Sequence, residues 1–191
     1  MDYIEEFKTV DAVINSSAET LGVDAFALSL IKAERQIRKL VTHLIYQFPC
    51  FNEKDISALR QVLVNNRRVY FEGFEKGFDA LYPKSIRDLV GLEYSALRPR
   101  IDEAIEDRNK IFHGQLTSKF LNRQDLVAYV RDIRNWRENL AKGALGELQY
   151  DGFGRNSFQK SRIADLASRL KHPLADIKSY EGFVRSYMSR P

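Results

Sequence analysis

The sequence predicts an all-α protein, a helical bundle followed by a short basic helical segment. Two observations lead to this prediction. Apolar residues recur at spacings of three and four over several long stretches, which is the period of an amphipathic helix. No stretch shows the convincing alternation of a strand, and no Asn-Gly or Asp-Gly hairpin joins two strand-like runs.

The longest predicted helix covers about residues 23–48 and ends at Pro49, because proline cannot continue a helix. One stripe of this helix is apolar: Ile31, Ile37, Leu40, Val41, Leu44 and Phe48. The other face is predicted to be polar: Lys32, Arg35, Gln36, Lys39, His43 and Gln47.

Helix-start and helix-stop signals place further helices along the chain. An aromatic ridge over residues 71–82 stops at Pro83, and its spacing favours packing in the core over a ligand pocket. Ser85 with Asp88, and Asn122 with Asp125, resemble the capping boxes that begin helices. The second pair begins a helix over about residues 123–142. Its predicted buried stripe is Leu126, Val130, Ile133, Trp136 and Leu140.

The net charge of +4 is unevenly distributed and suggests two regions, 1–154 and 155–191. The second region carries eight Lys or Arg and three Asp or Glu, whereas the first is nearly neutral. The glycine-containing stretch 150–157 marks the boundary. Beyond it we expect a short helix over about residues 163–170, a break at His172-Pro173 and a second short helix. A basic segment favours an anionic partner such as nucleic acid, although a solvated tail has the same charge pattern.

Composition excludes several classes of protein. The chain has 191 residues, enough for one domain with a core, and 44% hydrophobic residues, which excludes general disorder. Cys50 is the only cysteine, so an intramolecular disulfide is impossible and a thiolate-rich metal site is disfavoured. No apolar run reaches the roughly 20 residues that cross a bilayer, and the acidic N-terminal residues do not resemble a secretory signal. We expect a cytoplasmic protein without membrane attachment.

The segment 100–113 contains the residues that point to chemistry. On a helical wheel Ile101, Ala104, Ile105, Ile111 and Phe112 form an apolar stripe. Arg108 falls in the middle of that stripe. Burying an unpaired charge costs several kcal/mol, so Arg108 is expected either to pair with an acid or to face a cleft or an interface.

A polar stripe runs beside the apolar one. Its members, Asp102, Glu106, Asn109 and His113, are separated by four, three and four residues, so they stack on one face. Gly114 directly follows His113 and is a natural residue just past a helix end. A histidine at a helix end beside an arginine suits phosphate chemistry.

The run Arg108-Asn109-Lys110-Ile111-Phe112-His113 resembles the Arg-x4-His signature of the HEPN superfamily, including the asparagine after the arginine. The motif covers six residues, and its place near the end of a late bundle helix also fits. The resemblance implies a helical bundle that dimerises and brings two motifs into one cleft. Many members are metal-independent RNA endonucleases of toxin–antitoxin, abortive-infection or CRISPR-linked defence systems. Some families carry a tyrosine two residues after the histidine; Gln115 stands there in this chain, which disfavours the variant whose partner adenylylates that tyrosine.

The resemblance also implies roles for four residues. His113 would act as general base or acid in attack of a ribose 2′-hydroxyl on the adjacent phosphate. Arg108 would stabilise the phosphoryl charge, and Asn109 would orient His113 or hold a phosphate oxygen. Glu106 is a candidate to tune His113. The expected partners are RNA, a second copy of the chain and a cognate antitoxin, with no metal and no cofactor.

Three other functions stay open from the sequence. The bundle would bind RNA or a protein without cutting, as a non-catalytic HEPN-like module. A second alternative is a helical regulator that binds DNA. Its predicted pair of short helices around a break, over residues 160–180, would imitate a helix-turn-helix. Alternatively, the chain would be a pure interaction subunit.

Overall fold

The computed structural model describes residues 3–66, 68–154, 157, 158, 163 and 165–190, and these residues form an all-α fold, as predicted. Within this part of the chain the only β-type pairing is a bridge between Val69 and Ser189. The α-helices are α1 (Tyr3–Ile14), α2 (Leu21–Gln47), α3 (Ile56–Asn65), α4 (Phe71–Leu81), α5 (Ile86–Val90), α6 (Tyr94–Phe112), α7 (Arg123–Leu148) and α8 (Ile177–Phe183). Short 3₁₀ turns lie at Glu53–Asp55, Gly91–Glu93 and Ala167–Arg169, and a π-helical turn at Val184–Met188 follows α8.

The predicted helix starts are confirmed. Ser85 caps α5 and Asn122 caps α7, each in a reciprocal capping box with the acid three residues later. The stripe predicted for α7 is buried, and Ile133, Trp136 and Leu140 have no exposed surface. α7 nevertheless runs six residues beyond the predicted end at 142, because Ala144 and Leu148 continue the buried face.

The polar face predicted for α2 is wrong in its second half. Gln36, His43 and Gln47 are buried, whereas Ile31 from the predicted apolar stripe is 52% exposed. The reason is position: α2 lies at the centre of the bundle and contacts α1, α4, α6 and α7. Gln36 is accommodated because its side-chain amide donates to the carbonyl oxygens of Arg137 and Asp151, at 3.1 and 3.0 Å.

The C-terminal segment is integrated into the core in the part that the structure describes. Tyr180, Phe183, Val184 and Met188 are almost fully buried in the same apolar cluster as the bundle helices. Met188 lies over two glycines of α4, and a Cβ at Gly77 would come 2.7 Å from the Met188 Cγ. Of the helix expected over 163–170, the described residues form the 3₁₀ turn Ala167–Arg169, while residues 159–162 and 164 lie outside the described part.

The boundary expected at 150–157 is also packed in its described residues. Phe153 is 3% exposed, and Gly152 adopts a positive φ of 77° directly against Gln36 of α2. A Cβ at Gly152 would approach the Gln36 Cγ to 2.8 Å, so this turn requires a glycine. Among the described helices, none is both long enough and apolar enough to cross a membrane.

Candidate functional site

Helix α6 ends at the candidate histidine, as the sequence predicts. His113 is the C-cap residue, and Gly114 follows with a φ of 64°. The amide of Gln115 donates to the Lys110 carbonyl at 2.8 Å, and the amide of Gly114 donates to the Ile111 carbonyl at 3.1 Å. This pair of bonds is a Schellman motif, which satisfies the last carbonyls of the helix and fixes the position of His113.

The buried face of α6 is rotated from the predicted one. Leu97, Ile101, Ala104 and Asp107 are buried, whereas Phe112 is 62% exposed. The prediction that Arg108 occupies the middle of the buried stripe is therefore wrong. Arg108 lies at the edge of this face, and its side chain is 21% exposed.

Asp107 takes the central position that the wheel assigned to Arg108. It is 3% exposed, and the hydroxyl of Tyr129 on α7 donates to its Oδ2 at 2.7 Å. Burial and the contact with this carboxylate both raise the pKa of Tyr129. The bond ties α6 to α7 and thereby sets the rotation of α6 that carries the candidate residues.

Arg108 has an acidic partner within the same chain. Its Nη2 donates to Oε1 of Glu34 on α2 at 2.7 Å, and both side chains are partly exposed. The Nε of Arg108 is buried and has no acceptor among the described residues. The guanidinium is thus held at one end by Glu34 and retains an unsatisfied donor.

Three of the four predicted site residues line one cleft. The cleft has a volume of about 290 Å³ and includes Arg108, Asn109 and His113. Asp102, from the same polar stripe, also lines it. Glu106 does not line the cleft: it is exposed, and Lys110 donates to it at 2.6 Å. The structure therefore does not bring Glu106 to His113.

Two further arginines line the cleft and were missed in the sequence. Arg98 lies one turn before Asp102 on α6 and donates to both carboxylate oxygens of buried Glu75 at 2.6–3.0 Å. The spacing of four residues between Arg98 and Asp102 places both on one face of a helix, and this spacing would have indicated Arg98 as a site residue. Arg190 comes from the far end of the chain, and no local pattern connects it to α6.

Arg190 reaches the cleft through the C-terminal segment. Its backbone amide donates to the Arg68 carbonyl at 3.2 Å, next to the bridge between Val69 and Ser189. Its guanidinium lies 4.6 Å from the centre of the Tyr70 ring and 3.8 Å from a Glu72 oxygen. The C-terminal segment thus contributes a cation to the cleft as well as apolar side chains to the core.

The cleft combines positive and negative groups. Each of its three arginines contacts a carboxylate: Arg98 with Glu75 and Asp102, Arg108 with Glu34, and Arg190 with Glu72. Burial raises the pKa of Glu75 to about 7, against the opposing effect of Arg98. An anionic ligand would compete with Glu34 and Glu72 for the guanidinium groups.

Among the residues that the structure describes, no three His, Cys, Asp or Glu side chains come together as a metal site requires. The chemistry that the cleft offers is a histidine for proton transfer beside guanidinium groups that match the geometry of phosphate oxygens.

The chain matches no family model, no curated protein and no solved structure.

Proposed function

We propose that this protein is a metal-independent RNA endonuclease of the HEPN type, and that the cleft of Arg108 and His113 binds the scissile phosphodiester. The observation that carries the proposal is the convergence of Arg108, Asn109 and His113 on one cleft. Arg98 and Arg190 add positive charge to it. Guanidinium groups stabilise charge that develops on a phosphate, and an adjacent histidine transfers protons.

In the proposed reaction the ribose 2′-oxygen attacks the adjacent phosphorus and the bond to the 5′-oxygen breaks. A base removes the proton of the 2′-hydroxyl, and an acid protonates the departing 5′-oxygen. His113 fills one of these roles, and Arg108 stabilises the non-bridging oxygens. Asn109 orients His113 or holds a phosphate oxygen. The products are a 2′,3′-cyclic phosphate and a 5′-hydroxyl.

A homodimer would supply the second proton-transfer group, because each chain brings one His113 to the cleft. An apolar surface beside the motif supports this part of the proposal. Phe112, next to His113, is 62% exposed, and Leu116 and Phe120, which are 87% and 98% exposed, line one shallow depression. Exposed apolar side chains clustered on one surface are typical of subunit contacts. Arg108 itself does not require a partner chain. Its pairing with Glu34 within the chain removes the free-energy cost that a buried, unpaired Arg108 would have placed on a monomer.

The resemblance to HEPN proteins further suggests a toxin or defence ribonuclease with a cognate antitoxin. Production of the wild-type chain in a bacterial host would then arrest growth and fragment cellular RNA. The His113→Ala variant would do neither at equal protein level.

The direct test is cleavage of a single-stranded RNA by purified protein in excess EDTA. We expect wild-type protein to cut and leave 2′,3′-cyclic phosphate ends, detected by mass spectrometry. A substrate with 2′-deoxyribose at the cut site should be inert. Cleavage that stops in EDTA and returns with magnesium would contradict the mechanism.

His113→Ala and Arg108→Ala should abolish cleavage while the helical circular-dichroism signal and the cooperativity of unfolding stay near wild type. Gln115→Ala is the matched control, because Gln115 is exposed and adjoins the same helix end. Full activity in either site variant would refute the assigned roles.

A non-catalytic RNA- or protein-binding module is the second candidate. The observation that favours it is the Arg108–Glu34 ion pair, which already neutralises the proposed phosphate-binding cation. RNA that binds and is never cut, under all the conditions above, would identify this function instead.

A further inference from the structure

A second cleft lies on another side of α2 and has a different charge character. It has a volume of about 500 Å³ and lies between α2, α3 and the turn that follows α7. Its polar and charged lining consists of Arg35, Arg38, Lys39, Thr42, Arg60 and Ser157. None of the lining residues that the structure describes is an acid.

The arginines of this cleft are free of acidic partners in the described part of the chain. Arg35, Arg38 and Arg60 are exposed, and none of them forms an ion pair with a described carboxylate. The cleft of His113 is the opposite case, because each of its arginines contacts an acid. Cations that are clustered without counter-charges attract anions, and a guanidinium binds phosphate through two parallel hydrogen bonds.

Lys39 shows the effect of this clustering. Burial and the neighbouring charge of Arg35 lower the pKa of Lys39, while Glu6 and Asp151 oppose that shift. Both of these acids have other partners: Glu6 accepts from Arg137 at 3.0 Å, and Asp151 accepts from the Phe153 amide at 2.9 Å. Neither carboxylate is among the described residues that line the cleft.

The two clefts are neighbours across α2. Glu34 lines the first cleft, whereas Arg35 directly after it and Arg38 one turn later line the second. Residues four apart on a helix have Cβ atoms about 5–6 Å apart, so Glu34 of the first cleft and Arg38 of the second are neighbours on α2.

We propose that the cleft formed by Arg35, Arg38, Lys39 and Arg60 binds phosphate groups of the RNA strand whose scissile phosphodiester lies at His113. This rests on the proposed function for the identity of the strand, whereas the binding itself does not require cleavage. Contacts to the backbone hold and align an RNA without reading its sequence. The cleft would therefore raise affinity for RNA of any sequence and leave the cleavage chemistry to the other cleft.

The experiment measures binding of a fluorescein-labelled 12-nucleotide RNA by anisotropy in the His113→Ala background, at several salt concentrations. We expect Arg38→Gln and Arg60→Gln each to weaken binding about 3- to 10-fold. Each should also reduce the slope of log affinity against log salt by about 0.7, the value for one single-strand phosphate contact. Arg131→Gln, at an exposed arginine of α7, is the control with the same loss of charge. Circular dichroism checks that each variant is folded. Because Arg38 and Arg60 are exposed, we expect their replacement to leave the fold intact.

The outcomes separate this proposal from the proposed function. Weakened binding in Arg38→Gln and Arg60→Gln but not in Arg131→Gln supports the cleft, even if wild-type protein never cuts RNA. Equal loss in all three variants overturns it, because only general charge would matter. Binding of inorganic phosphate that depends on Arg38, without any binding of RNA, also overturns it, since the ligand would be a small phosphate compound. Cleavage by wild-type protein with unchanged binding in both cleft variants refutes the cleft and leaves the ribonuclease proposal intact.

Discussion

Glu34 of α2 accepts a hydrogen bond from the guanidinium of Arg108 on α6, with 2.7 Å between Oε1 and Nη2. The pair crosses the interface between two helices and also borders the cleft that contains His113. Both side chains keep part of their surface in solvent, so the ion pair is open to exchange. Under the proposed function, Glu34 would therefore compete with a phosphate for Arg108.

Replacement of Glu34 by glutamine should strengthen RNA binding several-fold, because the amide competes less with phosphate for Arg108. Stability should change by less than about 1 kcal/mol, since the pair is partly exposed. Glu93→Gln, at an exposed acid before α6, is the control for the general loss of one negative charge. Affinities are measured by anisotropy in the His113→Ala background. Equal gains in the two variants would show that Glu34 does not shield Arg108.

Acid should destabilise the protein through His43. This histidine is 2% exposed, packs 4.7 Å from the Tyr150 ring centre, and burial lowers its pKa to about 4 from an ordinary 6.5. Between these two values the unfolded chain binds a proton that the folded chain does not, so the free energy of unfolding falls as pH falls through that window. The contribution between pH 7 and pH 5 is about 2 kcal/mol.

Urea unfolding at pH 7 and pH 5 tests this, with His43→Gln as the non-titrating comparison. The wild type should lose about 2 kcal/mol more than the variant over this interval. An identical loss in both proteins would assign the acid sensitivity to other groups.

Two glycines of α7 should respond oppositely to alanine. A Cβ at Gly143 would lie 2.7 Å from the carbonyl carbon of Leu89, where α5 crosses α7, so Gly143→Ala should destabilise by roughly 1–3 kcal/mol. A Cβ at Gly146 would meet none of the described atoms within 4 Å outside its own stretch of helix, and Gly146→Ala should stabilise by about 0.5–1 kcal/mol through helix propensity. Denaturant midpoints of the two variants give the comparison. A stabilised Gly143→Ala would show that α5 does not sit closely on α7.

The exposed apolar surface after α6 should control assembly. Light scattering should report a mass near twice 22.1 kDa for the wild type. Leu116→Ser combined with Phe120→Ser should give monomers and lose RNA cleavage, because the second His113 would be absent. Leu92→Ser, at a fully exposed leucine before α6, should leave the dimer intact. A monomeric wild-type protein that cuts RNA at full rate would refute the composite site.

The fold was largely predictable because its signals are local. Capping boxes at Ser85 and Asn122 and prolines after α2 and α4 mark helix ends within a few residues, and periodicity identifies the buried side of α7. The second face of α2 was not predictable in this way. Glutamine and histidine look like surface residues in the sequence, and the buried state of Gln36 depends on carbonyl oxygens 101 and 115 residues away.

The site was predicted in part for the same reason. The spacing of Arg108, Asn109 and His113 was sufficient to place them on one helix end. The spacing did not predict the rotation of α6. That rotation depends on Asp107, a polar residue that is buried because it accepts a hydrogen bond from the Tyr129 hydroxyl on another helix. No helical pattern could predict that Arg190 lies in the cleft, because tertiary packing alone brings this residue to α6.

The packing of Met188 over the glycines of α4 affects the order in which the protein assembles during its synthesis. Ribosomes deliver a chain from its N-terminus, and domains fold as their segments emerge. The groove on α4 stays uncovered, and the cleft lacks Arg190, until translation has passed both residues. The cleft therefore gains its third arginine only after the segments that carry Arg98, Arg108 and His113 have been made.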